Sequence, residues 1–337
     1  MTIKGFSQQW KDFPDYIIGI TNEIWESRGI GTLNHYYSQD IPVRSPMGIQ
    51  RGNQAVMAAT MATCYEFPDR ELLGEDVIWS GDPESGLLSS HRIISTATHA
   101  RDGSFGPATG RRYKVRVIAD CAAKDNTIFD EWLVRDYGGI VRQLGMDPKT
   151  YAGELINREG GPDKCAKPFT PAIDIDGGYH GTGNDNQWGE KYATVLRRLM
   201  DKDFNVVREA YDRAVMAEYA GAVSDLSFSA VDGFWLGLRS SFPDAEFKIH
   251  HQIGLGGDGG GDAMLPPRAA IRWSLDGVHS GWGTFGAPTG APVHVMGMCH
   301  AEFGPYGANG EGIRREYALY DEVAIWKQIL MHSGELS

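Results

Sequence analysis

The chain has no long apolar run, no Lys/Arg-rich stretch and only four cysteines among its 337 residues. Each shortage excludes something. No segment approaches the ~20 apolar residues that a membrane helix needs, so no membrane association is expected. A net charge of -12 leaves no basic face for a phosphate backbone, which argues against nucleic acid. Cys64, Cys121, Cys165 and Cys299 form no C-x-x-C pair, so neither a zinc set nor a disulfide framework is signalled. Isolated cysteines fit a reducing compartment. The N-terminal MTIKGFSQQWKDFPD is polar and lacks the apolar core of a signal peptide, so a cytoplasmic protein is expected. There is no G-x-S-x-G, hence no serine-hydrolase elbow. Residues 254–259 (GLGGDG) have dinucleotide-fingerprint spacing, but Pro266-Pro267 and a strand-like run follow where a helix is required. That stretch reads as a hairpin loop. His250 and His251 are adjacent in a strand and point to opposite faces, with no carboxylate or cysteine nearby to complete a metal set.

What the chain does have is glycine, at 43 residues, and long strand-like runs. Residues 12–28 place Tyr16, Ile17, Ile20, Ile24 and Trp25 at helical spacing with the apolar stripe inward. The stretch Ile41 to Pro46 is extended, and its prolines suit a sheet edge. Residues 53–66 read as a helix that ends at Phe67-Pro68-Asp69. Strand-like runs follow at 70–82, 87–100, 112–124 and 127–137, separated by turn residues, which predicts an antiparallel meander in an α+β layout. Residues 148–188, dense in Gly, Pro, Asp and Asn, read as a long connection; within it Tyr179-His180 could reach a pocket. The plan then recurs, with helices at 190–210 and 222–241, strand-like runs at 245–255, 267–280, 292–303 and 312–321, and a final helix.

The recurrence is an internal duplication. Phe67-Pro68-Asp69 reappears as Phe242-Pro243-Asp244 at an offset of 175. Arg92, His99, Phe105, Gly106, Thr109 and Gly110 reappear as Arg272, His279, Phe285, Gly286, Thr289 and Gly290 at an offset of 180. Glu131, Asp136 and Gln143 reappear as Glu316, Asp321 and Gln328 at an offset of 185. Each change of offset falls in a glycine-rich turn, where insertions are tolerated. The expected organisation is a first domain over 1–147, a linker over 148–188 and a second domain over 189–337.

Strand alternation puts Trp132, Val134 and Asp136 on one face, and Tyr317, Leu319 and Asp321 likewise. A carboxylate beside aromatic and aliphatic groups has a raised pKa and can serve as an acid or base near neutrality. The other reading is an Asp that N-caps the helix starting right after it, and spacing alone favours that cap. His99 and His279 each end a strand six residues before Phe-Gly-x-x-Thr-Gly. A strand-end histidine is usually solvated or hydrogen-bonded; recurrence in both halves sets a catalytic reading beside the structural one. Arg92 and Arg272 read as structural, paired with Glu131 and Glu316.

Phe67-Pro68-Asp69, the segment Thr98 to Arg111 (THARDGSFGPATGR) and the segment Glu131 to Gly145 (EWLVRDYGGIVRQLG) together resemble the SnoaL-like polyketide cyclases of the nuclear transport factor two-like superfamily. The resemblance covers about residues 12–147 and 190–330. It implies two cone-shaped α+β barrels, each a curved antiparallel sheet wrapped around helices and enclosing an apolar pocket. It implies acid–base chemistry without metal or organic cofactor, with Asp136 and Asp321 as the acid/base groups and His99 and His279 as their partners. Trp132, Tyr317 and Trp25 are then expected to contact an apolar or cyclic small-molecule substrate. The second copy departs from the pattern: Val278 precedes its histidine, Tyr317 replaces Trp, and no Gly follows Gln328. The expected function is a cofactor-independent lyase or isomerase acting on a carbonyl compound through an enolate. The alternatives are a non-catalytic ligand-binding module and epoxide-hydrolase-like water addition. The halves are expected to pack as an intramolecular pseudo-dimer through the outer faces of their sheets, with a further homodimer left open.

Overall fold

A computed structural model describes residues 3–257, 265–306 and 310–335. The first half opens with α1 (Phe13–Thr21), whose N-cap Asp12 accepts the Asp15 amide at 2.9 Å. The helix runs on through a π turn, Asn22–Glu26, that carries Trp25. Next come α2 (Leu33–Tyr36), β1 (Pro42–Ser45), β2 (Gly48–Arg51) and α3 (Asn53–Glu66). Four long strands follow, β3 (Glu71–Asp82), β4 (Gly86–Thr98), β5 (Arg112–Lys124) and β6 (Thr127–Arg135), and then α4 (Tyr137–Gln143). The second half repeats this with α6 (Gln187–Met200), α7 (Val206–Ala210), β7 (Tyr211–Tyr219), β8 (Val223–Leu226) and α8 (Ser227–Ser241). It finishes with β9 (Glu246–Leu255), β10 (Arg268–Val278), β11 (Pro292–Gly304), β12 (Gly312–Tyr320) and α9 (Glu322–Ser333). Between the halves lies α5 (Pro148–Arg158).

The two sheets have the same order, β2-β1-β6-β5-β4-β3 and β8-β7-β12-β11-β10-β9, so the chain is a duplicated α+β cone fold. The long strands form the expected antiparallel meanders. The sheets are nonetheless mixed, because β1 pairs parallel with β6 and β7 parallel with β12. The stretch at 42–45 is therefore not an edge strand; Pro42 and Pro46 bracket it, and the edge is β2, too short and polar to show a period. In the second half the 190–210 helix is two helices, and residues 223–226 before α8 are a strand. The connection is also more ordered than its composition suggested. Asp147 caps α5, which packs on α9 through Tyr151, Ala152, Ile156, Val323 and Leu330. The glycine-rich stretch 254–262 runs beyond the described residues from 258 onward.

The central strands β4, β5, β10 and β11 are buried on both faces, which sets how the site is built. On β5, Val117, Ala119 and Cys121 face the inside of the first cone, while Ile118 and Ala122 face the other half. The cluster between the sheets joins Ile118 and Val134 to Met296, Met298 and Leu319. Ion pairs cross the same interface: Arg92–Glu302 at 2.8 Å, Arg116–Glu218 at 2.6 Å and Arg268–Asp76 at 3.1 Å. Arg92 lies 3.7 Å over the Tyr317 ring and Arg272 lies 3.6 Å over the Trp132 ring, so each half's arginine stacks on the other half's aromatic. Arg92 and Arg272 thus pair across the interface with Glu302 and Asp120, not with Glu131 and Glu316.

Candidate active site

A cavity of about 640 Å³ occupies the first cone, a size suited to a small organic ligand. Its apolar wall includes Leu72, Ile93, Val117 and Leu133 from the sheet, Val56 and Ala59 from α3, and Trp25 from the π turn. Trp25 donates from Nε1 to Thr60 Oγ1 at 3.2 Å, which fixes the indole against the wall. The connecting segment closes the mouth: Ala166, Lys167, Ile173 and Ile175 line it, and the Phe169 amide donates to Pro46 O at 3.0 Å. Arg44 holds the same segment through Asp174 and the Ile175 carbonyl. Within it Tyr179 reaches His251 rather than this cavity, its hydroxyl 2.9 Å from Nε2, and His180 is exposed.

The polar groups of the cavity come from the face of β6 opposite to the one expected. Glu131, Leu133 and Arg135 line it, whereas Trp132 and Val134 face the second half. Trp132 is held between Arg44 and Arg272, and Tyr317 between Arg92 and Arg116, so neither is on the cavity wall. The inversion has a simple cause. When both faces of a strand are buried, the more apolar face need not be the inner one. Here the apolar face joins the halves and the inner face carries the charge.

Glu131 is 7% exposed, its Oε2 has no hydrogen-bond partner, and burial raises its pKa from 4.5 to about 7, against the pull of the Tyr37 hydroxyl. Its counterpart Glu316 is fully satisfied. It accepts hydrogen bonds from Tyr192 at 2.8 Å, Tyr211 at 2.7 Å, Trp235 Nε1 at 3.2 Å and from Tyr219. The sequence differences behind this can be read off the register. Tyr37 and Tyr211 bridge the equivalent residues Ile128 and Ile313. Ser45 stands where the second half has Tyr219, two residues past the partners of Glu131 and Glu316. Thr60 and Ala59 stand where it has Trp235 and Phe234, counted back from Phe67 and Phe242. The heart of the second cone is filled by Trp235, Trp273, Tyr192 and Tyr211, all fully buried.

Asp136 was expected to work inside the first cone and does not line the cavity. It caps α4 through the Gly139 amide at 2.8 Å and accepts the Gly221 and Ala222 amides of the β7–β8 turn at 2.8 and 2.7 Å. Burial raises its pKa to about 6 while those amides pull it down. It borders a crevice of about 120 Å³ shared with Glu218, Tyr219 and Ala222. Asp321 differs. Its Oδ1 caps α9 through the Val323 and Ala324 amides at 2.9 and 3.3 Å, but Oδ2 has no partner, and the residue lines the cavity of the first half. Burial raises its pKa from 3.8 to about 8. The asymmetry comes from one residue. Three residues, Ala220-Gly221-Ala222, turn between paired Tyr219 and Val223, while only Pro46-Met47 turn between paired Ser45 and Gly48. The longer turn delivers two amides to Asp136; the shorter one starts with a proline, which has no N–H, and Asp321 stays open.

The histidines stand apart from the cavity. His99 is fully buried, with Nδ1 3.2 Å from Thr109 Oγ1 and Nε2 3.2 Å from Glu66 Oε1. His279 repeats the Thr contact at 3.1 Å, and burial lowers its pKa. Each holds its Phe-Gly-x-x-Thr-Gly loop, which explains why it recurs. Of the expected site residues, only Trp25 and Asp321 meet at the cavity. Glu131 and Arg135 were missed as site groups, although the unmatched pairs Arg135/Tyr320 and Thr60/Trp235 mark where the halves diverge. Among the described residues no group of three or more His, Cys, Asp or Glu side chains could hold a metal ion, and no helix is long and apolar enough to cross a membrane.

No family model and no curated protein matches the chain. Solved structures do. IdmH from Streptomyces antibioticus, a candidate polyketide cyclase, is 23% identical over 39% of this chain and 97% of its own, with a TM-score of 0.35. A candidate polyketide cyclase from Acidithiobacillus ferrooxidans is 19% identical over 39% of this chain and 92% of its own, with a TM-score of 0.34. A SnoaL-like polyketide cyclase from Agrobacterium tumefaciens is 19% identical over 43% of this chain and 98% of its own, with a TM-score of 0.32. These solved proteins are similar in fold to about two fifths of the chain, whose two sheets share one strand order.

Proposed function

We propose that the first cone is the site of cofactor-independent acid–base chemistry on a carbonyl-bearing small molecule, run through an enolate. The observation that carries this is Glu131: a buried carboxyl in a ligand-sized cavity, one oxygen unpartnered, at the position where Glu316 is saturated by four donors. With a pKa of about 7, Glu131 is half ionised at neutrality and can remove a proton alpha to a carbonyl. Asp321, with a pKa of about 8, is mostly neutral there and stands toward the Arg135 end of the same cavity, where it can donate a hydrogen bond to a polar group of the ligand. Ring closure, elimination, isomerisation or retro-aldol cleavage can each follow from the same enolate. The second cone, filled by aromatic side chains, acts as a scaffold that lends Asp321 to the first.

The test is α-proton exchange of 2-tetralone and its carboxylated analogues in D2O, followed by NMR. Glu131→Gln should slow the protein-catalysed exchange by ~10²–10⁴-fold while leaving the fold intact. Exchange equally fast with wild type and Glu131→Gln, or no faster than in buffer with either, sinks the reading and leaves a non-catalytic binding cone.

A further inference from the structure

Two guanidinium groups, Arg70 and Arg135, line the same cavity. Arg70 is 8% exposed, yet its side chain makes no hydrogen bond to the described residues. Arg135 donates only to the Tyr137 hydroxyl, at 3.1 Å. No carboxylate among the described residues lies within 4.0 Å of either group. The carboxyls in electrostatic reach of Arg135 are Asp321, mostly neutral at pH 7, and Glu131, about half ionised there, and neither forms an ion pair with it. Burial and the neighbouring Arg135 draw the Arg70 pKa down to about 10, so the two cations repel across a site that keeps both charged. Elsewhere in the molecule buried arginines are matched: Arg44 by Asp130 and Asp174, Arg92 by Glu75 and Glu302, Arg272 by Asp120. Arg70 is buried and Arg135 partly so, and two like charges side by side without an ion-pair partner are retained only where something offsets them. Their counterparts in the second half, where aromatic rings fill the cone, are Ala245 and Tyr320. The arginine pair exists only in the half that has a cavity.

We infer that Arg70 and Arg135 form an anion-binding subsite of the first cone and that its ligand carries a carboxylate. This deepens the proposed function, since it concerns the same cavity, and names its substrate class: a carbonyl compound with an acid group at one end. Planar guanidinium forks match a carboxylate in two parallel hydrogen bonds. Glu131 lies four residues before Arg135 on the same strand face, about 13 Å away along the backbone, so the acid group is anchored at one end while chemistry proceeds toward the other. The sheet wall between them, Leu133 with Val117 and Ile93, is apolar and suits a hydrocarbon or aromatic body.

Binding reads this without turnover, so it stands or falls apart from the exchange assay. The probes are 2-naphthoate and the uncharged 2-naphthamide, titrated by calorimetry into wild-type, Arg70→Met, Arg70→Lys and Glu131→Gln protein. Naphthoate should bind wild type more tightly than naphthamide. Arg70→Met should weaken naphthoate by about ten- to a hundredfold and leave naphthamide unchanged. Arg70→Lys should recover part of the loss, and Glu131→Gln, which removes a partial negative charge from the same cavity, should bind naphthoate at least as tightly as wild type. Arg70→Met should melt no lower than wild type without ligand, because it removes an unpaired buried charge. Equal affinity for the two probes, unchanged naphthoate binding in Arg70→Met, or a lower melting temperature with both probes lost would overturn the inference. Displacement of naphthoate by inorganic phosphate at lower concentration than by benzoate would overturn the carboxylate assignment.

Discussion

Glu131 and Glu316 occupy one position in two copies of one domain, yet Glu316 accepts four hydrogen bonds and Glu131 Oε2 accepts none. The same residue is structural in one half and available in the other. Glu316→Ala should therefore cost more than about 3 kcal/mol of stability, because four buried donors lose their acceptor. Glu131→Gln should change stability by less than about 1 kcal/mol at pH 4, where the carboxyl is protonated in both states. Urea unfolding of both variants checks the contrast.

The raised pKa of Glu131 has a sign in the pH dependence of stability. Below its unfolded value of 4.5 the group is protonated in both states, and the fold has its full stability from this group. As pH rises toward about 7 the unfolded chain loses the proton while the folded chain keeps it, so stability falls, and the fall ends near the folded value. Asp321 acts in the same sense up to about 8. Between pH 5 and 8, Glu131→Gln should lose less stability than wild type, by on the order of 2–3 kcal/mol. Parallel melting curves for the two proteins across that range contradict it.

The cavity can be closed by copying the second half. Ala59→Phe with Thr60→Trp places the rings of Phe234 and Trp235 into the first cone. The doubly substituted protein should fold with a melting temperature no lower than wild type and bind 2-naphthoate at least about tenfold more weakly. Undiminished binding would show that the ligand site lies elsewhere.

Asp136 and Asp321 separate by role. Asp136→Ala frees three amides, one buried and two part-buried, and should cost about 1–3 kcal/mol, with exchange per folded molecule unchanged. Asp321→Asn should slow exchange and keep the fold. The reverse pattern would restore Asp136 to the chemistry.

Much of the fold was legible in the sequence because it rests on repeated local signals. The long strands, the Phe-Pro-Asp helix stop and the three offsets of the duplication all correspond to observed elements. The parallel strands β1 and β7 were harder, since four residues around Pro42 cannot reveal a distant partner. For the site, alternation correctly divided β6 into two faces but could not say which was inner, and Trp132 pointed the wrong way because the interface also buries aromatic and aliphatic side chains, alongside its ion pairs. Asp136 was readable both as a cap and as an acid; the cap is what the backbone of the other half completes. That Asp321 stays open depends on a turn one residue shorter on a different domain, which no local pattern encodes.

The most direct measurement is the titration of the Glu131 side-chain carboxyl by ¹³C NMR, assigned by its loss in Glu131→Gln. The account predicts a midpoint near 7, far above the ordinary 4.5 of a glutamate. A midpoint near 4.5 would mean a solvated or paired carboxylate, and Glu131 could not be the base.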